Sequence, residues 1–426
     1  MKNIKLRLII MNFLEFAVWG SYLTCMGRYL GEHGLGTHIG WFYAVQGIVS
    51  IFMPTLIGIV ADRWMSAKSA MTMCHLMAGI FMMAAGWYGL QAGDSVQFAP
   101  LFTLYTISVA FFMPTIALDN SVCLILFNKN NMDSVKEFPP IRVFGTVGFI
   151  CTMWVVDLLG FQTTARQFLV SGGLSIALAM YCLTLPDCKV VKEDKERKNW
   201  IEMLGLDGFR LFRQKKMAVF FLFSIFLGVC LQITNGYANP FLGSFQFIEE
   251  YADTFGVQHS NMLISLSQIC EALCILCIPF FLKRFGIKNV IIMSMLAWVI
   301  RFGFFGLGNP GNGVWLFVLS CIAYGFAFDF FNISGALYVS QETEPALQSS
   351  GQGLFMMMTN GFGATIGTLS AQAIINRMVF TPAMTGADPL TVWHGWQVCW
   401  YIFAAYALVI AILFAIFFEY KHNPSK

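Results

Sequence analysis

Apolar runs long enough to cross a bilayer recur along the whole 426-residue chain, separated by short polar stretches. Most exceed the roughly 18 residues at which an apolar run reads as a membrane-spanning helix. They do not alternate in short segments of about ten residues, as transmembrane barrel strands do. The pattern predicts twelve spans, at about 6–30, 38–61, 69–91, 97–127, 138–159, 166–185, 217–245, 258–282, 288–308, 313–340, 348–376 and 393–418. The longest polar segment, PDCKVVKEDKERKNWIEMLGLDGFRLFRQKK, lies between the sixth and seventh and leaves six spans on either side. The expected organisation is an N-terminal six-helix bundle over 1–187, a central loop over 188–215, and a C-terminal six-helix bundle over 216–426. Trp200 to Phe212 has helical spacing and is expected to lie along the membrane surface as a short helix. The first apolar run continues to about Tyr29 without a small-residue cleavage site, so it reads as an uncleaved span.

Composition agrees. The chain is 57% hydrophobic and 12% charged, against about 25% charged residues in soluble domains. A net charge of +3 with scattered basic residues argues against nucleic-acid binding. Lys and Arg in the connecting loops are one-sided: Arg28, Arg166 and Arg377 fall on one side and the rest on the other. By the positive-inside rule both termini and the central loop face the cytoplasm, as expected of a multi-pass membrane protein. Twelve cysteines lie almost entirely inside apolar spans, Cys270, Cys274 and Cys277 on one predicted helical face. They read as small packing residues, and neither they nor the six scattered histidines suggest a metal site or cofactor. A monomer surrounded by lipid is expected.

The halves echo each other. GIVADRWMSAKSAM after the second span and IPFFLKRFGIKNVIIM after the eighth each close an apolar helix with a basic turn and open the next. The fifth span (RVFGTVGFICTMW) and the eleventh (GLFMMMTNGFGATIG) share closely spaced small residues, which let helices approach closely. Two six-span halves related by an axis along the membrane normal form the major facilitator arrangement. GIVADRWMSAK also resembles that superfamily's signature loop, matching at Gly58, Asp62, Arg63 and Lys68, with Met65 where a glycine is usual. The resemblance implies a gating role; a solvated turn would also account for the charges.

Polar groups inside spans are costly. A central Asp costs about 2.5–3.5 kcal/mol on the insertion scale, so such groups pair, face the interior or mark a pathway. The candidates are Glu15 in the first span, Asp119 in the fourth, and Arg142, Thr146 and Phe149 in one stripe of the fifth. In FPPIR the two prolines are expected in the first helical turn, placing Arg142 about one turn into the span. The seventh span carries Gln232 and Asn235, the eighth Gln268 and Glu271, and the tenth Tyr324, Phe328, Asp329 and Asn332. Gln352, Thr359 and Asn360 lie in the eleventh. Carboxyl groups that change their water access or their distance from an Arg can load and release protons, the requirement for proton-coupled transport.

The strings FPPIRVFGTVGF, LGLDGF, LQITN, SLSQICEALCILCIPFFLKRFGIKNV, AYGFAFDFFNISG and MMMTNGFG closely resemble the bacterial nucleoside:proton symporters of the NupG type, over nearly the whole chain. The resemblance implies an all-α major facilitator fold, no enzymatic activity, and proton-coupled nucleoside import by alternating access at a site between the halves. It implies substrate contacts at Arg142, Thr146, Phe149, Gln232, Asn235, Gln268, Glu271, Tyr324 and Phe328. It implies transport roles for Glu271, in ribose recognition and proton coupling, and Asp329, in coupling or the conformational switch. Glu15 and Asp119 depart from the family pattern and could partner Arg142 or form a second proton site. The alternative on this scaffold is a symporter for another sugar-like or polar metabolite, since fold does not fix substrate. An enzyme would need a nucleophile or metal cluster in a polar loop, and a sensor a soluble output domain; neither is seen in the sequence.

Overall fold

A computed structural model describes residues 2–186, 188, 206–344 and 347–420. Among these there are helices and turns but no strand, as expected of a backbone that must satisfy its own hydrogen bonds in hydrocarbon. The helices are α1 (Lys2–Gly20), α2 (Met26–Glu32), α3 (Ile39–Arg63), α4 (Ala67–Ala92), α5 (Phe98–Lys129), α6 (Ser134–Leu158) and α7 (Arg166–Thr184), followed by α8 (Lys215–Ser244), α9 (Ser260–Leu307), α10 (Val314–Glu342), α11 (Gln348–Met356), α12 (Ala364–Ile375) and α13 (Pro389–Phe417). Nine described helical segments are long and apolar enough to cross a membrane. One of them, α9, holds two predicted spans, joined at Gly286 (φ 76°, ψ 167°).

The chain forms two compact units: Met1–Leu35 with Val45–Leu204, and Gly36–Ala44 with Gly205–Lys426. In the first unit, α1 packs on α6 and α4 on α7. Glycines set both contacts. A Cβ at Gly148 would meet the Phe13 carbonyl, one at Gly20 the Phe149 backbone, and ones at Gly79 and Gly172 each other's carbonyls. In the second unit, α8 packs on α12 and the turns before it, and α9 on α13. Here Gly228 and Gly363 meet backbone to backbone, and Gly367 meets Val229. The small residues noted in the fifth and eleventh predicted spans thus do the same work in each unit, letting two backbones touch. Cross-helix hydroxyls repeat too: Ser108 donates to the Ala78 carbonyl at 2.7 Å and Ser294 to that of Ala327 at 2.6 Å.

Three local expectations are corrected. The first span is not one helix, because the chain leaves α1 at Gly20 and re-enters helix at Met26. The Val18 carbonyl released there accepts from the hydroxyls of Ser21 (2.7 Å) and Ser171 (2.9 Å). In α6 the helix starts at Ser134, with the Glu137 amide bonded to the Asp133 carbonyl. Pro139 and Pro140 therefore lie in its second turn and Arg142 deeper still. The eleventh span is interrupted by π-helical turns at Met357–Gly363 and Asn376–Phe380. In the central loop, Leu206–Arg213 is a 3-10 helix with Leu211 buried. There a Cβ on Gly208 would meet Ser350 and one on Gly351 would meet Leu211; the rest of the expected surface helix, Trp200–Gly205, lies outside the described residues.

In the second unit, the first turn of α3 is capped by side chains. Gly40 N–H and the Tyr237 hydroxyl both donate to Gln372 Oε1, and Asn376 Nδ2 donates to the Thr37 carbonyl at 3.1 Å. These satisfy groups at a helix start that have no partner within the helix.

The glycine contacts give the first prediction. Gly148→Ala should lower the detergent melting midpoint by the equivalent of about 1–3 kcal/mol, the cost of overpacking. Gly173→Ala, where a Cβ meets nothing within 4 Å, should leave it unchanged. Equal melting of both variants would remove the close α1–α6 contact.

Candidate functional site

Some of the polar residues picked out by the sequence come together within each unit: Glu15, Asp119 and Arg142 in the first, and Glu271, Tyr324 and Asp329 in the second. In the first unit, Glu15 is fully buried and Asp119 is 1% exposed. Glu15 Oε2 lies 2.6 Å from His75 Nε2, and the Thr115 hydroxyl is 2.6 Å from Glu15 Oε1. The partner of Glu15 is thus a histidine on α4 and a threonine on α5. Asp119 lies within electrostatic reach of Glu15 and Arg142. Neither of its oxygens has a hydrogen-bond partner among the described residues. Arg142 is half-buried, its guanidinium 3.7 Å from the centre of the Phe16 ring, a cation–π geometry. Phe149, on the same stripe of α6, meets Trp19 edge-on at 6.3 Å, and Thr146 between them is half-buried.

In the second unit, Tyr324 and Phe328 on α10 stack one turn apart, 5.6 Å between centroids and 14° from parallel. Trp298 packs edge-on against Tyr324 at 5.8 Å. Asp329, 5% exposed, lies within electrostatic reach of Glu271. Tyr324 is within reach of both carboxyl groups. Gln268, three residues before Glu271 on α9, is buried, and its Oε1, like Asp329 Oδ2, has no hydrogen-bond partner among the described residues. On α8, Asn235 Nδ2 donates to Gln232 Oε1 at 3.0 Å, the i, i+3 pairing its spacing predicts. The residues from the eleventh span stay apart from this set: Gln352 donates to the Ala336 carbonyl at 2.6 Å and Asn360 lies 3.8 Å from Met356 Sδ.

Sequence reasoning missed two residues. His75 sits alone in the apolar string MTMCHLMAGIF, and only the fold brings it to Glu15. Arg301, in WVIRFGFFG, is 1% exposed. Its Nη1 donates to the Ser320 carbonyl at 2.9 Å and to Ser267 Oγ at 3.2 Å. Its guanidinium lies 4.5 Å from the Tyr324 ring centre and 5.2 Å from that of Phe305. A charge in the middle of an apolar run was the available signal, the same signal that flagged Asp329. Arg301 thus lies against the Tyr324 ring of the Tyr324–Phe328 stack.

In the expected gating loop, Gly58 lies within α3 and Asp62 and Arg63 at its end, with the side chains of the last two outside the described residues. Lys68 Nζ donates to the Leu185 carbonyl at 3.0 Å, tying the start of α4 to the end of α7. All twelve cysteines are free; Cys274 is buried, Cys270 half-buried and Cys277 exposed. Among the described residues no group of His, Cys, Asp and Glu is arranged to hold a metal ion.

The profile of the family described as "Nucleoside H+ symporter" matches residues 1–423. Xanthosine permease of Escherichia coli K12 is 44% identical over all of this chain and 98% of its own. Nucleoside permease NupG of the same strain is 43% identical over 99% of this chain and 97% of its own. A crystal structure of nucleoside transporter NupG superposes with a TM-score of 0.87 at 43% identity, over 98% of this chain and all of that one. These relatives are permeases, and the fold is that of the major facilitator transporters.

The buried arginine gives a prediction of its own. Arg301→Leu should lower the melting midpoint by the equivalent of about 1.5–3 kcal/mol for each lost charged hydrogen bond. Arg301→Lys should not restore it, because a point ammonium lacks the planar face that rests on Tyr324 and Phe305. Full recovery by Lys would show that charge alone matters there.

Proposed function

The chain belongs to the nucleoside H+ symporter family, and from that membership we propose that it imports nucleosides across a membrane together with protons, by alternating access. The observation that carries this reading is the end-to-end match to that family together with 43–44% identity to nucleoside and xanthosine permeases. It is a multi-pass membrane protein. The similarity to permeases of Escherichia coli supports a bacterial inner membrane, and the one-sided loop charge supports cytoplasmic termini.

The chemistry of the clusters supports the substrate. The flat Tyr324–Phe328 stack suits the face of a base, since aromatic rings stack on any nucleobase. The amides of Gln232, Asn235 and Gln268 match the donor and acceptor edge of a base. Glu271 can accept from ribose hydroxyls, and Arg142, with Thr146 and Phe149 on its stripe, offers donors beside an aromatic ring. Asp329, beside Glu271, is assigned to proton coupling or to the switch between states, with Glu15 and Asp119 as coupling candidates in the first unit. The loop of Gly58, Asp62, Arg63 and Lys68 is assigned to gating. The transporter is proposed to act as a monomer in lipid, without a cofactor and without binding nucleic acid.

In cells lacking their own nucleoside permeases, expression should raise uptake of labelled uridine or adenosine at least about tenfold, and a protonophore should abolish the gain; uptake unchanged by expression removes the nucleoside reading. Arg142→Ala and Glu271→Gln should each cut uptake about tenfold or more, as expected when a charged hydrogen bond worth about 1.5–3 kcal/mol is lost. Asp329→Asn should bind uridine but no longer accumulate it against a gradient. Accumulation at the wild-type level would take coupling away from Asp329.

A further inference from the structure

The Glu15 cluster can be read proton by proton. The Ser175 hydroxyl donates its one hydrogen to the His75 carbonyl at 2.9 Å. Donating there, its oxygen can accept from a His75 Nδ1–H, 3.2 Å away. A neutral imidazole then presents a bare Nε2, and a charged one presents Nε2–H. In either case one proton lies in the 2.6 Å gap between Nε2 and Glu15 Oε2. The other carboxyl oxygen faces Thr115, whose single hydroxyl hydrogen has two acceptors, both at 2.6 Å: Glu15 Oε1 and the Phe112 carbonyl.

These two acceptors define two states. When Thr115 donates to Glu15 Oε1, that oxygen has no place for a hydrogen. When the hydroxyl turns to the Phe112 carbonyl, Thr115 Oγ1 becomes an acceptor. Glu15 Oε1 can then carry a proton and donate it to Thr115, while Nε2–H donates to Oε2. One proton is gained, and every donor and acceptor in the cluster stays paired. A hydroxyl rotation separates the states, so loading does not leave a buried polar group unsatisfied, which would cost about 1–3 kcal/mol.

We propose that Glu15, His75 and Thr115 form a proton-binding site inside the first unit, loaded at Glu15 Oε1 by rotation of the Thr115 hydroxyl. The proposal rests on the proton-coupled reading above and gives the coupling proton an address. The groups within reach of Glu15 are His75 and Cys74 on α4, Thr115 and Asp119 on α5, and Cys182 on α7; around them, Ser175 on α7 reaches His75, and Cys123 on α5 and Arg142 on α6 reach Asp119. Asp119 supplies the nearby carboxyl that can balance the gained charge. Arg142 lies within reach of Asp119, so the state of the site is felt at a proposed substrate contact.

The test uses the purified full-length protein in liposomes. Infrared difference spectra between acid and alkaline pH should show a change in the carboxylic-acid C=O region that Glu15→Gln removes. Thr115→Val should shift that change, and Thr115→Ser should restore it. In the same liposomes, the pH midpoint of uridine uptake should move by about one pH unit, tenfold in proton affinity, in Thr115→Val and return in Thr115→Ser. A wild-type spectrum without a Glu15-dependent change overturns the proposal, as does an uptake midpoint that Thr115→Val leaves in place. The infrared measurement needs no substrate. If wild-type protein takes up no uridine but shows the Glu15 signal, the nucleoside reading fails and the proton site stands. Should Glu15→Gln fail to fold, the Val and Ser pair at Thr115 decides by itself.

Discussion

Hydrocarbon offers no hydrogen bonds, and most of this architecture follows from that constraint. Backbone polar groups must be satisfied within the chain, so the described spans are helices. Where a helix breaks, side chains fill in: Ser21 and Ser171 take the Val18 carbonyl released at the end of α1, and Gln372 takes the Gly40 amide at the start of α3. The same constraint sorts the charged side chains. Glu15 is paired with His75 and Thr115, and Arg301 is held by a carbonyl, a hydroxyl and two rings. Asp119 and Asp329 keep carboxyl oxygens without a hydrogen-bond partner among the described residues.

The spans were legible because apolar length is a strong local signal and the loops between them are short and basic. The internal repeat was legible from two features, the basic turns and the clustered small residues. Its physical content, backbones in contact at Gly148 and at Gly228 with Gly363, needed coordinates. The breaks were not legible. Nothing in WGSYLTCMG or MMMTNGFG distinguishes a helix from an interrupted one, because tertiary partners decide whether a freed carbonyl can be satisfied. The start of α6 was misplaced for a related reason: prolines are tolerated in the second turn as well as the first when the carbonyls they leave lie near the helix end.

At the site, the sequence supplied the buried acids but not the His75 and Arg301 that lie against the residues it picked out. Glu15 stood out as an acid in a span, yet His75, sixty residues on, has no spacing rule that links it to Glu15. Asp329 and Glu271 stood out, while Arg301 was passed over in a phenylalanine-rich run. Acids in membranes attract attention because their cost is obvious. A cation or an imidazole that offsets such a cost looks, in one dimension, like an isolated oddity.

Gly286 has a mechanical consequence. Its left-handed backbone turns the chain between the arms of α9 with a single non-helical residue, whereas three residues, Trp64–Ser66, separate α3 from α4 in the first unit. One residue provides no slack. The arm that carries Gln268 and Glu271 is joined to the arm that carries Trp298 and Arg301 without a loop between them, through a positive-φ backbone that glycine adopts without strain.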